Sequence, residues 1–79
     1  MVARMKNVQS AGSVECFDSS GKPHSTRWSV WEDDMGRRLE MTYKGHTEGI
    51  TITSTQLSRD TQQTLAEHVF SRMLQDLGY

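Results

Sequence analysis

The sequence has one cysteine and no long apolar run, and each shortage argues against a class of protein. Its single cysteine, Cys16, allows no internal disulfide, so an oxidising compartment would add nothing to the stability of the fold. No apolar run approaches the roughly 18 residues needed to cross a bilayer, and Met1–Gly12 has no signal-peptide core. We therefore expect a soluble, cytoplasmic protein with no membrane partner.

Apolar residues are scarce as well, and the net charge is small. The residues AVILMFWYC make up 34% of the 79 positions, which predicts one small domain with a thin core. Nine Lys and Arg against ten Asp and Glu leave a formal charge of -1, so the overall balance selects no polyanionic partner. Domains of this size have marginal stability, about 3–5 kcal/mol, and a homodimer is therefore compatible with this composition.

Polar and apolar residues alternate between residues 13 and 53, the period of two that half-buried strands show. Three short breaks rich in turn-forming residues interrupt the alternation, at 18–23, 33–36 and 45–49. Because each break is short, the pattern predicts four strands in an antiparallel meander. The alternating apolar residues, which we expect to share one buried face, are Val14, Cys16, Trp28, Val30, Leu39, Met41, Tyr43, Ile50 and Ile52.

The register of the hairpins follows if apolar residues must face apolar residues. The predicted pairs are Val30 with Leu39 and Trp28 with Met41 in the second hairpin, and Tyr43 with Ile50 and Met41 with Ile52 in the third. The opposite face is then polar and rich in Thr. It is predicted to contain three rows: Arg27, Thr42 and Thr51; Ser29, Glu40 and Thr53; and Trp31, Arg38 and Thr55.

Beyond the last strand the apolar residues recur at spacings of three and four, which predicts a helix from about Thr61 to Asp76 covering the apolar face. Asp60 and Gln63 form a capping-box pattern, Ser58 is the alternative N-cap, and Gly78 stands where a C-terminal cap is expected. The predicted fold class is α+β: a four-stranded antiparallel β-meander with one C-terminal α-helix packed on one face. We expect a flexible segment at 1–12 and a single domain at 13–79.

No pattern in the sequence points to catalysis or to a cofactor. His24, His46, His68 and Cys16 are the plausible transition-metal donors, but no two of them have a metal-site spacing, so we expect three solvated or locally hydrogen-bonded imidazoles and no metal. The inward parity of Cys16 favours a small buried hydrophobe over a nucleophile. The acidic run at 32–34 lies at a hairpin tip, which favours a solvated turn over a cation site. No glycine-rich phosphate loop precedes a helix, and we predict a protein that is not an enzyme.

The polar face carries one large aromatic residue, Trp31, which is predicted to lie outward opposite Arg38. One interpretation is that this pair only shields the open sheet; the other is that it anchors an interface, since Trp and Arg are enriched at the energetic centres of protein interfaces. The functional hypothesis is a small regulator or inhibitor, of a kind carried by phages and mobile elements, that binds a protein partner through this face. Its candidate binding residues are Trp31, Arg38, Arg27, Glu40 and Thr53.

The alternative is a small regulator that binds DNA or RNA through the same strands. A three-stranded sheet backed by a C-terminal helix is similar in outline to AP2-type plant factors and to the arm-binding domains of tyrosine integrases, and no residue is carried over from either. Carboxylates interleaved with the basic residues repel phosphate, so a protein partner is favoured. The basic residues are Arg27, Arg37, Arg38 and Lys44, and the acidic ones are Glu32, Asp33, Asp34, Glu40 and Glu48.

Overall fold

The computed structural model describes residues 7–34, 36–53 and 57–79, in which four strands precede one helix. The strands form one antiparallel sheet in chain order, and the helix packs on one of its faces. This arrangement confirms the predicted α+β meander. The elements are β1 (Asn7–Phe17), β2 (Pro23–Asp33), β3 (Gly36–Tyr43), β4 (His46–Ile52) and α1 (Arg59–Asp76).

Strand β1 begins earlier than its apolar residues indicate. Residues 7–12, predicted to be flexible, pair with β2 and form the first half of the strand, whereas 1–6 lie outside the described residues. The reason is visible at Gly12, which faces Trp28 across the two strands. A Cβ atom at Gly12 would lie 2.7 Å from the Trp28 ring, so the indole fills the space that β1 leaves empty. This half of β1 therefore needs no apolar pattern of its own.

The second hairpin has the predicted register, but the third does not. Tyr43 faces His46, where the sequence predicted that it would face Ile50. Lys44 (φ 50°) and Gly45 (φ 79°) form a two-residue turn with both φ angles positive, as a type I′ hairpin requires. Because the shift is an even number of residues, every side chain keeps its predicted face.

The shift changes which residues are neighbours on the polar face. Thr53 does not lie beside Glu40, and Thr55, predicted to end the row of Trp31, lies outside the described residues. The rows that cross β2, β3 and β4 are Ser29, Glu40 and Gly49, and Trp31, Arg38 and Thr51.

Both ends of α1 are capped. Ser58, the alternative cap in the sequence, is the N-cap, and its hydroxyl accepts a hydrogen bond from the Thr61 amide at 3.2 Å. At the other end Gly78 has a φ of 87°, and the Tyr79 amide donates to the Leu74 carbonyl at 2.9 Å. This Schellman geometry turns the chain back and places the Tyr79 ring against the sheet.

The core lies between the apolar sheet face and α1, as predicted. Tyr43 and Ile50 are only half-buried members of this face. The fully buried side chains come from β2, β3 and α1, so the core joins the middle of the sheet to one helix. Its buried members are Val14, Trp28, Val30, Leu39, Met41, Ile52, Ala66, Phe70, Met73 and Leu74.

Helix α1 lies over β1 more than over β3 and β4. Arg59 donates to the Ala11 carbonyl at 2.6 Å, and Gln63 donates to the Ser13 carbonyl at 3.1 Å. Gln63 also accepts a hydrogen bond from the Trp28 indole at 3.1 Å. These contacts hold the first half of α1 at the β1 side of the sheet. In the described part of the chain, no helix is long and apolar enough to cross a membrane.

The face assignment predicts opposite outcomes for two neighbouring substitutions. Met41→Asp should abolish cooperative thermal unfolding, because its carboxylate would be buried at the sheet centre without a partner. Thr42→Asp, which places the same group on the exposed face, should leave a cooperative transition within a few degrees of the wild type. Equal melting behaviour of the two variants would contradict the assignment.

Candidate functional site

The sheet face opposite α1, called the outer face below, is rich in small hydroxyl side chains. No element of the described chain packs as a layer on this face. Short side chains over several strands make a flat, polar surface. Its strand residues include Ala11, Ser13, Glu15, Phe17, Ser25, Arg27, Ser29, Arg38, Glu40, Thr42, Thr47, Gly49 and Thr51.

Arg27 is exposed in the middle of the outer face and stands between two shallow depressions. The depression towards β3 has a volume of about 440 Å³ and includes Ser29 and Glu40 in its lining. The depression towards β1 has a volume of about 450 Å³ and includes Ser13 and Glu15. An exposed guanidinium group between two depressions can bind a carboxylate of a partner while side chains of the partner fill the depressions.

Charges of both signs alternate across this face. Glu15 and Glu40 belong to the two depressions that share Arg27. Arg38 is the second cation, so two arginines are balanced by two glutamates among the outer-face residues named above. A balanced, interleaved pattern gives no strong field of one sign.

Arg38 lies flat across β4. A Cβ atom at Gly49 would come within 3.0 Å of Arg38 Nη2, which shows that the guanidinium passes over this glycine. Arg38 Nη1 donates to the Thr51 hydroxyl at 3.5 Å, a long hydrogen bond. The side chain is therefore arranged along the sheet surface. A Cβ atom at Gly49 would also lie 2.9 Å from the Leu39 backbone carbonyl, which cannot move aside as the arginine can, so the backbone favours glycine here.

Trp31 faces outward opposite Arg38, as the register predicted, but the expectation that its ring is exposed is wrong. Its exposed fraction is 8%, and it lies outside the main core cluster. The indole lies on the outer side of the sheet but is buried there, so it does not offer an aromatic surface to a partner. The exposed aromatic ring on this face is Phe17, at the other end of β1, with an exposed fraction of 64%.

The remaining predicted binding residues occupy different positions relative to Arg27. Glu40 is half-buried in a depression beside it, and Arg38 lies farther along the sheet in the row of Trp31. Thr53 is exposed just after the end of β4 and is not brought next to Glu40. The structure thus places Arg27 and Glu40 together, with Arg38 and Trp31 in a second row.

A buried polar cluster lies on the other face of the sheet, and sequence reasoning missed it. His24, predicted to lie in a loop as a solvated or locally hydrogen-bonded imidazole, is the second residue of β2, and its side chain is 5% exposed. Its Nδ1 is hydrogen-bonded to the Tyr43 hydroxyl at 2.7 Å, and its Nε2 is bonded to Asp18 Oδ2 at 2.8 Å. The Tyr79 ring lies against the imidazole with centroids 4.5 Å apart. The cluster therefore fastens the end of α1 to the first hairpin.

Asp18 organises the loop between β1 and β2. Its Oδ1 accepts hydrogen bonds from the Ser20 hydroxyl (2.6 Å), the Ser20 amide (2.9 Å) and the Lys22 amide (3.0 Å). The Ser20 hydroxyl, followed by His24 and the Lys22 amide, holds the pKa of the Asp18 carboxyl well below its usual range. The sequence signal for this loop was Asp18 followed by small and turn-forming residues, the Asx-turn pattern.

Cys16 is the cross-strand partner of His24, the one arrangement in which a histidine could activate it. Both ring nitrogens of His24 are taken by Tyr43 and Asp18, however. The Cys16 thiol points to the Glu67 carbonyl at 3.6 Å, and burial raises its pKa, with Glu67 and Glu15 adding to the effect. A thiol held in its neutral form is a poor nucleophile.

The other two histidines lie apart from this cluster. His46, at the start of β4, is bonded to Glu48 at 3.1 Å, and His68 is exposed on α1. Within 7–34, 36–53 and 57–79 no three potential metal ligands are grouped together. Comparison of the chain with protein families, with curated proteins and with solved structures finds no match.

The depressed pKa of Asp18 predicts the acid dependence of stability. A carboxyl whose pKa is lowered by folding stabilises the fold above its unfolded pKa, about 3.9, and this contribution is lost as the pH falls below that value. Asp18→Asn should therefore be less stable than the wild type at pH 7, and its melting temperature should fall less between pH 5 and pH 2. Glu67→Gln, which removes an exposed carboxylate, is the control and should keep the wild-type acid dependence. Parallel melting curves for wild type and Asp18→Asn would contradict this assignment.

The burial of Trp31 and the exposure of Phe17 give a matched pair of substitutions. Trp31→Ala should lower the free energy of unfolding by about 3 kcal/mol, because it removes a buried aromatic ring. Phe17→Ala should lower it by less than about 1 kcal/mol. Chemical denaturation of both variants measures the difference, and an equally small loss for Trp31→Ala would show that its ring is exposed.

Proposed function

We propose that this protein is a cytoplasmic, non-enzymatic binding module that docks on a protein partner through the outer face and acts as a regulator or inhibitor. One observation carries the proposal. Around Arg27 the outer face is flat and polar, and no described element packs on it as a layer. Arg27 is its central exposed side chain and stands between two depressions that include Glu15 and Glu40. Such a surface is complementary to another protein surface with charges of both signs.

Each part of the face has a role in this contact. Arg27 pairs with a carboxylate of the partner, and Glu15 and Glu40 receive basic groups beside it. Phe17 supplies an apolar contact at the end of β1. Trp31 is buried and presents no ring surface, so the proposed contact is centred on Arg27 and not on Trp31.

The charge pattern favours a protein over a nucleic acid. A phosphate backbone presents one sign of charge, and binding to it requires a basic surface. Arg27 is flanked on both sides by carboxylates, so a nucleic acid laid along this face would meet repulsion at Glu15 and Glu40. The alternative function, a DNA- or RNA-binding regulator, is therefore the weaker candidate.

Site-specific photo-crosslinking in the native cells tests the proposal. A photoreactive amino acid at Ser25, which is exposed in the depression beside Arg27, should give one discrete protein adduct. The same amino acid at Gln75, exposed on α1, is the matched control and should not give this adduct. Arg27→Glu combined with the Ser25 probe should abolish the adduct without changing the melting temperature.

Two results would contradict the proposal. One is a protein adduct that forms from Gln75 but not from Ser25, because the partner would then bind the helix side. The other is tight binding of the purified protein to DNA or RNA, with an affinity that falls steeply as salt is added and is lost in Arg27→Glu. The second result would establish the nucleic-acid alternative.

A further inference from the structure

The two edge strands of the sheet, β1 and β4, differ in their contacts with α1. At the β1 edge, side chains of Arg59 and Gln63 donate to the carbonyl groups of Ala11 and Ser13. These bonds occupy groups that another strand would need for pairing. At the other edge, β4 pairs with β3 alone in the sheet, and α1 lies to the β1 side, so the described elements leave the edge at β4 open. Proteins commonly block exposed edges, and a long open edge is a template for strand addition.

The turn between β3 and β4 determines which groups of β4 point outward. In a two-residue hairpin the residues next to the turn, here Tyr43 and His46, form a hydrogen-bonded pair, and such pairs alternate along the strands. The amide and carbonyl groups of Thr47, Gly49 and Thr51 therefore point away from β3. They present three outward-facing residues in a strand rich in β-branched side chains.

A groove runs beside this edge because α1 lies to the β1 side. It lies between α1 and β4 and has a volume of about 480 Å³. Ile50, Leu65 and Val69 form its apolar part, and all three are half-buried. A strand added at β4 would place every second side chain above this apolar part and cover it.

The rim of the groove carries charges of both signs. Glu48 is on the strand side, and His68, Arg72 and Asp76 are on the helix side. A contact between two identical surfaces must be complementary to itself, and a rim with a cation between carboxylates meets that condition. A two-fold arrangement therefore allows Arg72 of each copy to pair with a carboxylate of the other.

We propose that β4 pairs antiparallel with β4 of a second copy, which gives a two-fold dimer with a continuous eight-stranded sheet. Antiparallel pairing of the same strand is isologous, so each copy uses the edge that the described part of the chain leaves open. The blocked β1 edge then ends the sheet on both sides, and the assembly closes at two chains. This interface lies apart from the outer face and does not depend on the function proposed for it.

Sedimentation equilibrium over a concentration series tests the dimer. The wild type should approach twice its chain mass of 9.0 kDa as the concentration rises. Thr51→Pro removes an outward amide without removing a bond to β3, so it should leave a folded monomer. Thr51→Ala keeps the amide and is the matched control, which should dimerise like the wild type.

A second pair of variants tests the rim without touching the strand. Arg72→Glu makes the charged rim acidic in both copies and should weaken dimerisation by about tenfold or more. Gln75→Glu adds a carboxylate near the same helix end, outside the groove, and should dimerise like the wild type. Because Arg72 is exposed, this pair stays informative even if Thr51→Pro does not fold.

Three outcomes would overturn the proposal. The wild type could remain at 9.0 kDa up to millimolar concentration. It could form a series of larger species, which would show that the β1 edge is open as well. Dimerisation could also be unchanged in both Thr51→Pro and Arg72→Glu, which would place the interface elsewhere.

Discussion

The anchoring of α1 to β1 through Trp28 determines which surfaces of the sheet are left for partners. The indole fills the space above Gly12, donates to Gln63 on the helix and lies under the guanidinium of Arg59, 5.6 Å from the ring centroid. One helix cannot cover both faces of a four-stranded sheet. Because this contact holds α1 at the β1 side of the inner face, the groove at β4 stays open, and no described element packs as a layer on the opposite, outer face.

The outer face around Arg27 and the β4 edge differ in their chemistry. The outer face has short hydroxyl side chains and balanced charges around Arg27, which suits a specific contact with a folded protein surface. The β4 edge offers backbone groups beside an apolar groove, which suits an added strand. A dimer built on the edge would place two outer faces on one continuous sheet, so a partner with two sites would gain avidity.

The fold could be predicted from the sequence because apolar residues recur every two positions in the strands and about every 3.6 positions in the helix. The predicted faces were correct despite the wrong register of the third hairpin, because that register differs by an even number of residues. The sequence was insufficient where a residue's environment depends on a distant one. Gly12 has no apolar signal because Trp28 supplies the side chain it lacks. Trp31 lies on the outer side of the sheet, as the alternation predicts, but its ring is buried. The alternation gives the face on which a side chain lies and does not say whether other residues cover it. His24 was missed because its partner Tyr43 comes from another strand.

Amide hydrogen exchange along β4 in dilute solution tests most directly whether the position of α1 leaves this side of the sheet open. The account predicts alternation: fast exchange at Thr47, Gly49 and Thr51, whose amides point outward, and slow exchange at Glu48 and Ile50, whose amides are bonded to β3. Uniformly slow exchange along the strand in the dilute monomer would contradict it, because another part of the chain would then have to cover the edge.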